Sequence, residues 1–141
     1  MRLQLTIALL FGLVLAGCSS KPPSPESVVR AWSQELNQGD NQAAANLFAP
    51  DAEVIQAGTT IRLKTHAQAV AWNEALPCSG EIVSIKTNGD TTTATFVLGD
   101  RQKSKCDGPG EHATAIFRVR DGKIVLWHQT SATPAPVGPA I

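Results

Sequence analysis

Cysteine and histidine, the residue types that most often carry metal or nucleophilic chemistry, are few in this chain and widely spaced. Cys78 and Cys106 lie far apart and lack the close C-x-x-C pairing of zinc sites. His66, His112 and His128 are scattered, and none has a partner at the i, i+4 spacing of a metal-binding helix. No Gly-x-Ser-x-Gly motif of a serine hydrolase is present. We therefore predict neither a metal site nor a cofactor.

The third cysteine, Cys18, lies at the end of an apolar N-terminal segment. Arg2 precedes the apolar residues 3–15, and the sequence then reads Leu15-Ala16-Gly17-Cys18. This segment resembles the signal of bacterial lipoproteins, in which the cysteine is lipidated and the peptide before it is removed. The resemblance implies that residues 1–17 are a signal peptide and that lipid on Cys18 anchors the protein to a membrane. The alternative is an ordinary secretory signal with an incidental cysteine.

The residues after Cys18 fit the same interpretation. Residues 19–24 contain two prolines and no apolar side chain, so residues 18–24 are predicted to be a lipidated cysteine and an extended tether. Ser19 follows the cysteine, and in the lipoprotein sorting pattern this residue points to the outer membrane where a cell has one. We expect an exported protein, anchored in the cell envelope on the periplasmic side.

Lipidation of Cys18 would leave one cysteine pair, Cys78 and Cys106. Exported proteins can keep such a pair oxidised, because their compartment lacks the reductants of the cytosol. We therefore predict a disulfide between these residues, with two reduced buried thiols as the alternative.

The composition of the chain limits its size class and its partners. The 141 residues are 43% hydrophobic and 17% charged, with 12 basic and 12 acidic side chains. One folded domain is expected, and a net charge of zero disfavours nucleic acid as a partner. A basic cluster of Arg101, Lys103 and Lys105 is interpreted as a solvated loop rather than a contact with anionic lipid.

The first half of the predicted domain is mainly helical. Ser24 and Pro25 have the pattern of an N-cap and first-turn proline, and they begin a helix that ends at Gly39. Asp40 is expected to cap a second helix that continues through Phe48, and Thr65 a third. Short strands are predicted at residues 53–57 and 61–63.

The second half changes to the alternating pattern of strands. Four strands are predicted, at residues 82–87, 91–98, 113–120 and 124–129, with tight turns at Asn88-Gly89 and Asp121-Gly122. Helices followed by an antiparallel meander define an α+β domain over residues 25–131. Residues 132–141 are expected to form a disordered tail.

Residues 28–40, 47–54 and 117–125 read VVRAWSQELNQGD, LFAPDAEV and FRVRDGKIV. These segments and the order of elements resemble the nuclear-transport-factor-2-like superfamily, which includes the SnoaL-like, ketosteroid isomerase and limonene epoxide hydrolase families. The resemblance implies a cone, in which a curved antiparallel sheet wraps around about three N-terminal helices and leaves a pocket at its open end.

The resemblance also allows the catalytic positions to be compared one by one. The oxyanion tyrosine, general base and protonated aspartate of the isomerase correspond here to Trp32, Gln56 and Ala115. The arginine and two aspartates of the epoxide hydrolase correspond to Phe96, Leu98 and Gln129. None of these side chains transfers a proton at neutral pH, so we expect that no catalytic residue is present at the family positions.

The implied pocket lining is aromatic and uncharged, with two amides. Alternation along the last two predicted strands supports this, because it puts every second residue on one face of the sheet. The predicted lining residues are Trp32, Gln56, Phe96, Leu98, Ala115, Phe117, Trp127 and Gln129. Such a lining suits a small neutral, partly apolar ligand. The alternative is that the aromatic side chains fill the cone as core.

Three functions remain open. The leading expectation is a lipid-anchored, non-catalytic domain that binds a small apolar ligand or a protein partner. An enzyme using Asp51 or His66 at the mouth of the cone is the second. The third is a structural module that forms a homodimer through Ile116, Ile124 and Leu126 on the outer face of the sheet.

Overall fold

The computed structural model describes residue 17 and residues 21–133 of the chain. The rest of the predicted signal peptide, Cys18 and residues 134–141 of the predicted tail lie outside the described residues. Within the described part, no helix has the length and apolar character needed to cross a membrane.

Each helix begins at a side chain that caps it, as the sequence predicts. The Ser24 hydroxyl accepts a hydrogen bond from the Ser27 N–H at 3.2 Å, one residue before the first-turn proline. Asp40 and Thr65 cap the other two helices in the same way. The helices are α1 (Pro25–Asn37), α2 (Asn41–Asn46) and α3 (His66–Ala75).

Six strands form one sheet. They are β1 (Phe48–Gln56), β2 (Thr59–Leu63), β3 (Ser79–Asn88), β4 (Thr91–Gly99), β5 (His112–Arg120) and β6 (Lys123–Thr133). Their spatial order is β2-β1-β6-β5-β4-β3, and neighbours are antiparallel except β1 and β6, which are parallel. The predicted α+β class and curved sheet are confirmed. The sheet is mixed rather than wholly antiparallel, because β1 and β6 run in the same direction.

The second helix is shorter than predicted. It ends at Asn46, and Phe48 begins β1 by pairing with Ile124 of β6. Phe48 is buried and its ring packs against Trp72, with 5.5 Å between ring centroids. Pro50 does not interrupt the ladder, because the β1–β6 pairing already shifts between Phe48 and Glu53.

Both predicted hairpin turns are present. Gly89 has φ of 62° in the β3–β4 turn, and Asp121 and Gly122 have φ of 51° and 74° in the β5–β6 turn. These left-handed angles are typical of tight turns whose twist matches that of paired strands. β6 extends beyond its predicted end at residue 129, since its last residues pair with the beginning of β5.

Ile124 lies in the core and not on the outer face where alternation placed it. The register between β5 and β6 shifts, so that Arg118 opposes Leu126 while Val119 opposes Ile124. The extra residue, Val125, is a bulge that turns Ile124 inward, where it is 0% exposed. Ile124 is therefore not available for the predicted dimer patch on the outer face.

The helices lie against one face of the sheet and enclose the core. α1 contacts β3, β4, β5 and β6, while α2 and α3 pack together beside β1 and β2. Trp32 of α1 lies at the centre, with its ring centroid 6.1 Å from that of Phe96 and 5.4 Å from that of Phe117. Aromatic side chains thus fill the inner part of the cone.

Candidate functional site

A cavity of about 230 Å³ remains between α1 and the inner face of the sheet. Seven of the eight predicted pocket residues line it, namely Trp32, Gln56, Phe96, Leu98, Ala115, Trp127 and Gln129. Other lining residues come from α1, from the segment between α3 and β3, and from the β4–β5 loop. The predicted residues are therefore brought together in one place.

Phe117 is the exception. It is 0% exposed and is not part of the cavity wall. Its ring lies against Trp32 and Phe96, so Phe117 supports two wall residues from behind. The prediction that Phe117 lines the pocket is wrong, although alternation places it on the correct face of β5.

The indole of Trp32 is held in position by a buried asparagine. Trp32 Nε1 donates a hydrogen bond to Asn73 Oδ1 at 2.8 Å, and Asn73 Nδ2 donates to the Ala69 carbonyl at 2.8 Å. Asn73 was not among the predicted site residues, although a polar residue on the buried face of a helix was the available signal. The indole N–H of Trp32 is therefore already used in a hydrogen bond within the protein.

Trp127 differs from Trp32 in this respect. Its Nε1 is buried, and no atom of the described residues accepts a hydrogen bond from it. The Trp127 ring packs against Trp72, with 4.9 Å between centroids, and against Trp32, with 6.3 Å. Trp127 thus has a buried donor without a partner among the described residues, and this nitrogen has almost no accessible surface.

The side-chain amides of the two predicted glutamines, Gln56 and Gln129, are hydrogen-bonded to each other. Gln56 Nε2 of β1 donates to Gln129 Oε1 of β6 at 2.8 Å, across the parallel strand pair. The pair keeps the Gln129 N–H groups and the Gln56 carbonyl oxygen for further partners. An amide pair therefore occupies the wall where the two related families are expected to hold carboxylates.

Gly80 at the start of β3 shapes the cavity wall. A Cβ atom at this position would lie 3.0 Å from Phe96 Cβ, so only glycine lets the Phe96 side chain approach so closely. Ser33 and Asn37 of α1 donate to the Gly80 carbonyl at 3.1 and 2.8 Å, and Gly80 N–H donates to Asn37 Oδ1 at 3.0 Å. These bonds fix β3 against α1 beside the cavity.

The disulfide predicted between Cys78 and Cys106 is present, with 4.5 Å between the Cα atoms. It joins the segment before β3 to the β4–β5 loop, residues 100–111. Asp107 Oδ1 lies 3.3 Å from Cys78 Sγ, within a cluster of metal-ligand types formed by these three residues. Because both sulfurs are in the disulfide, the cluster lacks the thiolates that a metal would need.

Two carboxylates belong to the cavity lining, which corrects the expectation that the lining is uncharged. Asp107 is exposed and Glu111 is half-buried, and both come from the β4–β5 loop. From the sequence, this loop was interpreted only as solvated. Its position over the cavity depends on the long-range disulfide, which local periodicity does not reveal.

Arg101 is turned inward, whereas the sequence suggested a solvated side chain. Its guanidinium donates to the carbonyl oxygens of Asn73 and Leu76 at 2.6 and 2.8 Å and to Asn41 Oδ1 at 2.6 Å. Burial lowers the pKa of Arg101, and the charge of Glu74 opposes that change. Arg101 therefore ties the β4–β5 loop to the C-terminus of α3.

Asp51 and His66 do not lie at the cavity, contrary to the expectation for an enzyme that uses them. His66 is exposed at the start of α3, with its Nε2 2.9 Å from Gln42 Oε1. Asp51 is exposed in β1 and has φ of 61°. Neither residue lines the cavity.

The family model of the SnoaL-like domain matches residues 29–127. This range is well over half of the chain, and the chain belongs to the SnoaL-like family. The resemblance inferred from the sequence motifs is confirmed by this match. No curated protein matches the sequence.

Solved structures share the fold at low sequence identity. A candidate polyketide cyclase from Sinorhizobium meliloti is 20% identical, with 74% of this chain and 94% of that chain covered and a TM-score of 0.59. A protein with a ketosteroid isomerase-like fold from Catenulispora acidiphila, in complex with trimethylamine, is 20% identical, with coverage of 77% and 87% and a TM-score of 0.60. An NTF2-like protein from Burkholderia xenovorans is 21% identical, with coverage of 82% and 87% and a TM-score of 0.59. These likenesses establish the fold.

Proposed function

We propose that this chain is a lipid-anchored protein of the cell envelope whose cavity binds a small neutral ligand and performs no reaction on it. The Gln56–Gln129 amide pair carries the proposal. By the resemblance, Gln56 stands where the isomerase has its general base, and Gln129 where the epoxide hydrolase has one. An amide cannot take up a proton at neutral pH, so this wall of the cavity can orient a ligand but cannot transfer protons.

The size and lining of the cavity support a compact ligand. Its volume of about 230 Å³ lies below the roughly 300–1,000 Å³ of pockets for drug-sized molecules. Apolar cavities of about 150 Å³ already hold benzene. The rings of Trp32, Phe96 and Trp127 would pack against an apolar body, while the amide pair offers a donor and an acceptor. A compound of one or two rings fits these conditions.

Pro23, in the described part of the proposed tether, and the β4–β5 loop that lines the cavity lie at opposite ends of β5. Pro23 of the tether lies beside the β5–β6 turn, since a Cβ on Gly122 would come within 2.9 Å of Pro23 Cδ. The β4–β5 loop at the mouth is at the other end of β5, a nine-residue strand that spans about 30 Å. With lipid on Cys18, this arrangement favours uptake of ligand from the aqueous phase rather than from the bilayer.

A second candidate function is catalysis by a carboxylate outside the family positions. Glu111 and Asp107 favour it, because both belong to the lining and a carboxylate is chemically competent as a general base. This alternative replaces the expected catalysis by Asp51 or His66, because neither of those residues lines the cavity. It predicts that Glu111→Gln abolishes turnover while ligand binding persists.

Mass spectrometry of the full chain isolated from its native envelope tests the leading proposal. We expect a co-purified small compound, which should also change tryptophan emission when it is added back to ligand-free protein. Gln129→Ala should weaken this response, whereas Gln102→Ala, on the exposed surface of the β4–β5 loop, should leave it unchanged. Conversion of the compound in a Glu111-dependent reaction would overturn the non-catalytic function. Absence of any bound compound, with no response to a set of one-ring and two-ring fragments, would overturn ligand binding itself.

A further inference from the structure

The Gln56–Gln129 pair has hydrogen-bonding groups that the fold does not use. One bond, from Gln56 Nε2 to Gln129 Oε1 at 2.8 Å, joins the two side chains. No atom of residues 17 and 21–133 donates to the Gln56 carbonyl oxygen or accepts from the Gln129 amide nitrogen. The pair therefore has one free acceptor and one free donor. Rotation of both amides by 180° would only exchange these roles between the two glutamines.

Both free groups retain accessible surface. Among the described residues that are at least half-buried, Trp127 Nε1 is the only side-chain nitrogen or oxygen that lacks both accessible surface and a partner. Gln56 and Gln129 are half-buried and line the cavity, so their unpartnered atoms remain open. Ala115 lies opposite Gln129 on β5 and also lines the cavity, and its small side chain leaves space beside the amide. A small molecule in this space would contact the pair.

The other polar side chains of the lining cannot replace the pair. Ser33 and Ser79 already donate their hydroxyl protons to backbone carbonyl oxygens, at 3.1 and 2.6 Å. Asp107 and Glu111 are carboxylates of the β4–β5 loop, and a carboxylate only accepts hydrogen bonds. Within the described lining, the amide pair is thus the one uncharged side-chain group with both a donor and an acceptor to spare.

We infer that the ligand is an uncharged ring compound with an amide group, such as a lactam, whose N–H donates to the free carbonyl oxygen of the pair and whose carbonyl oxygen accepts from the free NH₂ group. This inference rests on the proposed ligand-binding function and names the chemical class of the ligand. A ligand that fills the cavity displaces water from the pair, and a ligand with only one of the two functions leaves the other glutamine group unpaired. An amide supplies both functions, on two atoms and without a charge.

Oxindole, 2-indanone and indole are matched probes of this requirement. Each has a benzene ring fused to a five-membered ring, and their sizes are nearly equal. Oxindole has an N–H and a carbonyl group, 2-indanone has a methylene in place of the N–H, and indole has an N–H but no carbonyl. In a purely apolar cavity oxindole would bind most weakly, because it has the most polar groups to remove from water. We expect the opposite order, with oxindole bound about tenfold more tightly than either analogue.

Isothermal titration calorimetry on the full chain carrying Cys18→Ser measures the three affinities. This substitution removes the predicted lipid acceptor and with it the need for detergent, into which the probes would partition. The double variant Gln56→Met, Gln129→Met replaces both amides with apolar side chains of similar length, so neither partner is left unpaired. The preference for oxindole over each analogue should then fall by about tenfold. The matched control, Gln102→Met, makes the same change on the exposed surface of the β4–β5 loop and should leave the preference unchanged.

A second readout does not require the double variant to fold. The order of the three affinities is measured on the chain that retains both glutamines. Nuclear Overhauser contacts from the N–H proton of bound oxindole should reach the side-chain NH₂ protons of the pair. Contacts from the same proton to the side chain of Glu111 instead would show that a carboxylate of the β4–β5 loop accepts the bond.

The outcomes separate this inference from the function on which it rests. Oxindole binding no more tightly than its analogues, a preference that persists in the double variant, or contacts to Glu111 in place of the pair would each overturn recognition of an amide by the glutamines, while ligand binding stands. Failure of all three probes and of the wider fragment set to bind overturns the proposed function, and the inference with it.

Discussion

A buried hydrogen bond of 2.8 Å joins Trp32 Nε1 on α1 to Asn73 Oδ1 on α3. Asn73 is 0% exposed and also donates to the Ala69 carbonyl of its own helix. By the resemblance to ketosteroid isomerase, Trp32 stands at the position of a catalytic tyrosine. In this chain the tryptophan at that position links α1 to α3 and forms part of the aromatic wall of the cavity.

Loss of Asn73 should therefore destabilise the domain. Asn73→Ala leaves the Trp32 N–H buried without an acceptor, and the expected loss in the free energy of unfolding is roughly 1–3 kcal/mol. Urea unfolding followed by circular dichroism measures it. Asn46→Ala, the same substitution on the exposed surface of α2, should cost little in comparison. Equal stabilities of the two variants would contradict a structural role for the Trp32–Asn73 bond.

The Cys78–Cys106 disulfide should contribute strongly to stability. It closes a loop of about 29 residues, and restriction of the unfolded chain by such a loop stabilises the folded state by roughly 3.5 kcal/mol in the chain-entropy model. We expect reductant to lower the melting temperature clearly. The double variant Cys78→Ala, Cys106→Ala should melt at the lower temperature with or without reductant. Free thiols at both positions in freshly exported protein would show that the bond is not made in the cell.

Membrane attachment is predicted to depend on Cys18. The mature bacterial lipoprotein carries several acyl chains on this cysteine, and more than one chain is needed for stable anchoring. Cys18→Ser should move the protein from the membrane fraction to the soluble fraction and abolish incorporation of labelled fatty acid. Ser20→Ala, two residues after Cys18, serves as the control, and this variant should remain in the membrane fraction. Membrane association of the Cys18→Ser chain without lipid label would refute lipidation as the anchor.

Features that depend on neighbouring residues were predictable from the sequence. The caps at Ser24, Asp40 and Thr65 and the turn at Asp121-Gly122 follow from local chemistry, because each needs only a side chain or a backbone angle within a few residues. The pocket positions came from a different source. They followed from the family resemblance, and seven of the eight line one cavity.

Strand register and the position of the β4–β5 loop were not predictable from the sequence. The bulge at Val125 turns Ile124 into the core, and strict alternation cannot anticipate an extra residue. The carboxylates of Asp107 and Glu111 reach the cavity lining because a disulfide and the inward Arg101 fix the β4–β5 loop. The charge of the cavity mouth is therefore a product of tertiary structure.

The close approach of Phe96 to Gly80 predicts that the cavity is sensitive to a single methyl group. In Gly80→Ala the new Cβ would lie 3.0 Å from Phe96 Cβ, so the Phe96 side chain or β3 must shift. We expect a loss of roughly 1–3 kcal/mol in the free energy of unfolding and weaker ligand binding, since Phe96 is part of the wall. Gly99→Ala is the matched control, because Gly99 pairs with Ser79 one position away and its Cβ would meet only Ser79 Oγ at 3.7 Å.

Thermal unfolding and fluorescence titration with one-ring and two-ring fragments compare the two variants directly. Gly99→Ala should retain the affinity of the unsubstituted chain, since an ordinary contact at 3.7 Å requires no rearrangement. Gly80→Ala should lose affinity for these fragments, because a displaced Phe96 ring changes the shape of the cavity. A Gly80→Ala variant as stable and as competent in binding as Gly99→Ala would show that the Phe96 wall adapts freely, and that its shape does not select the ligand.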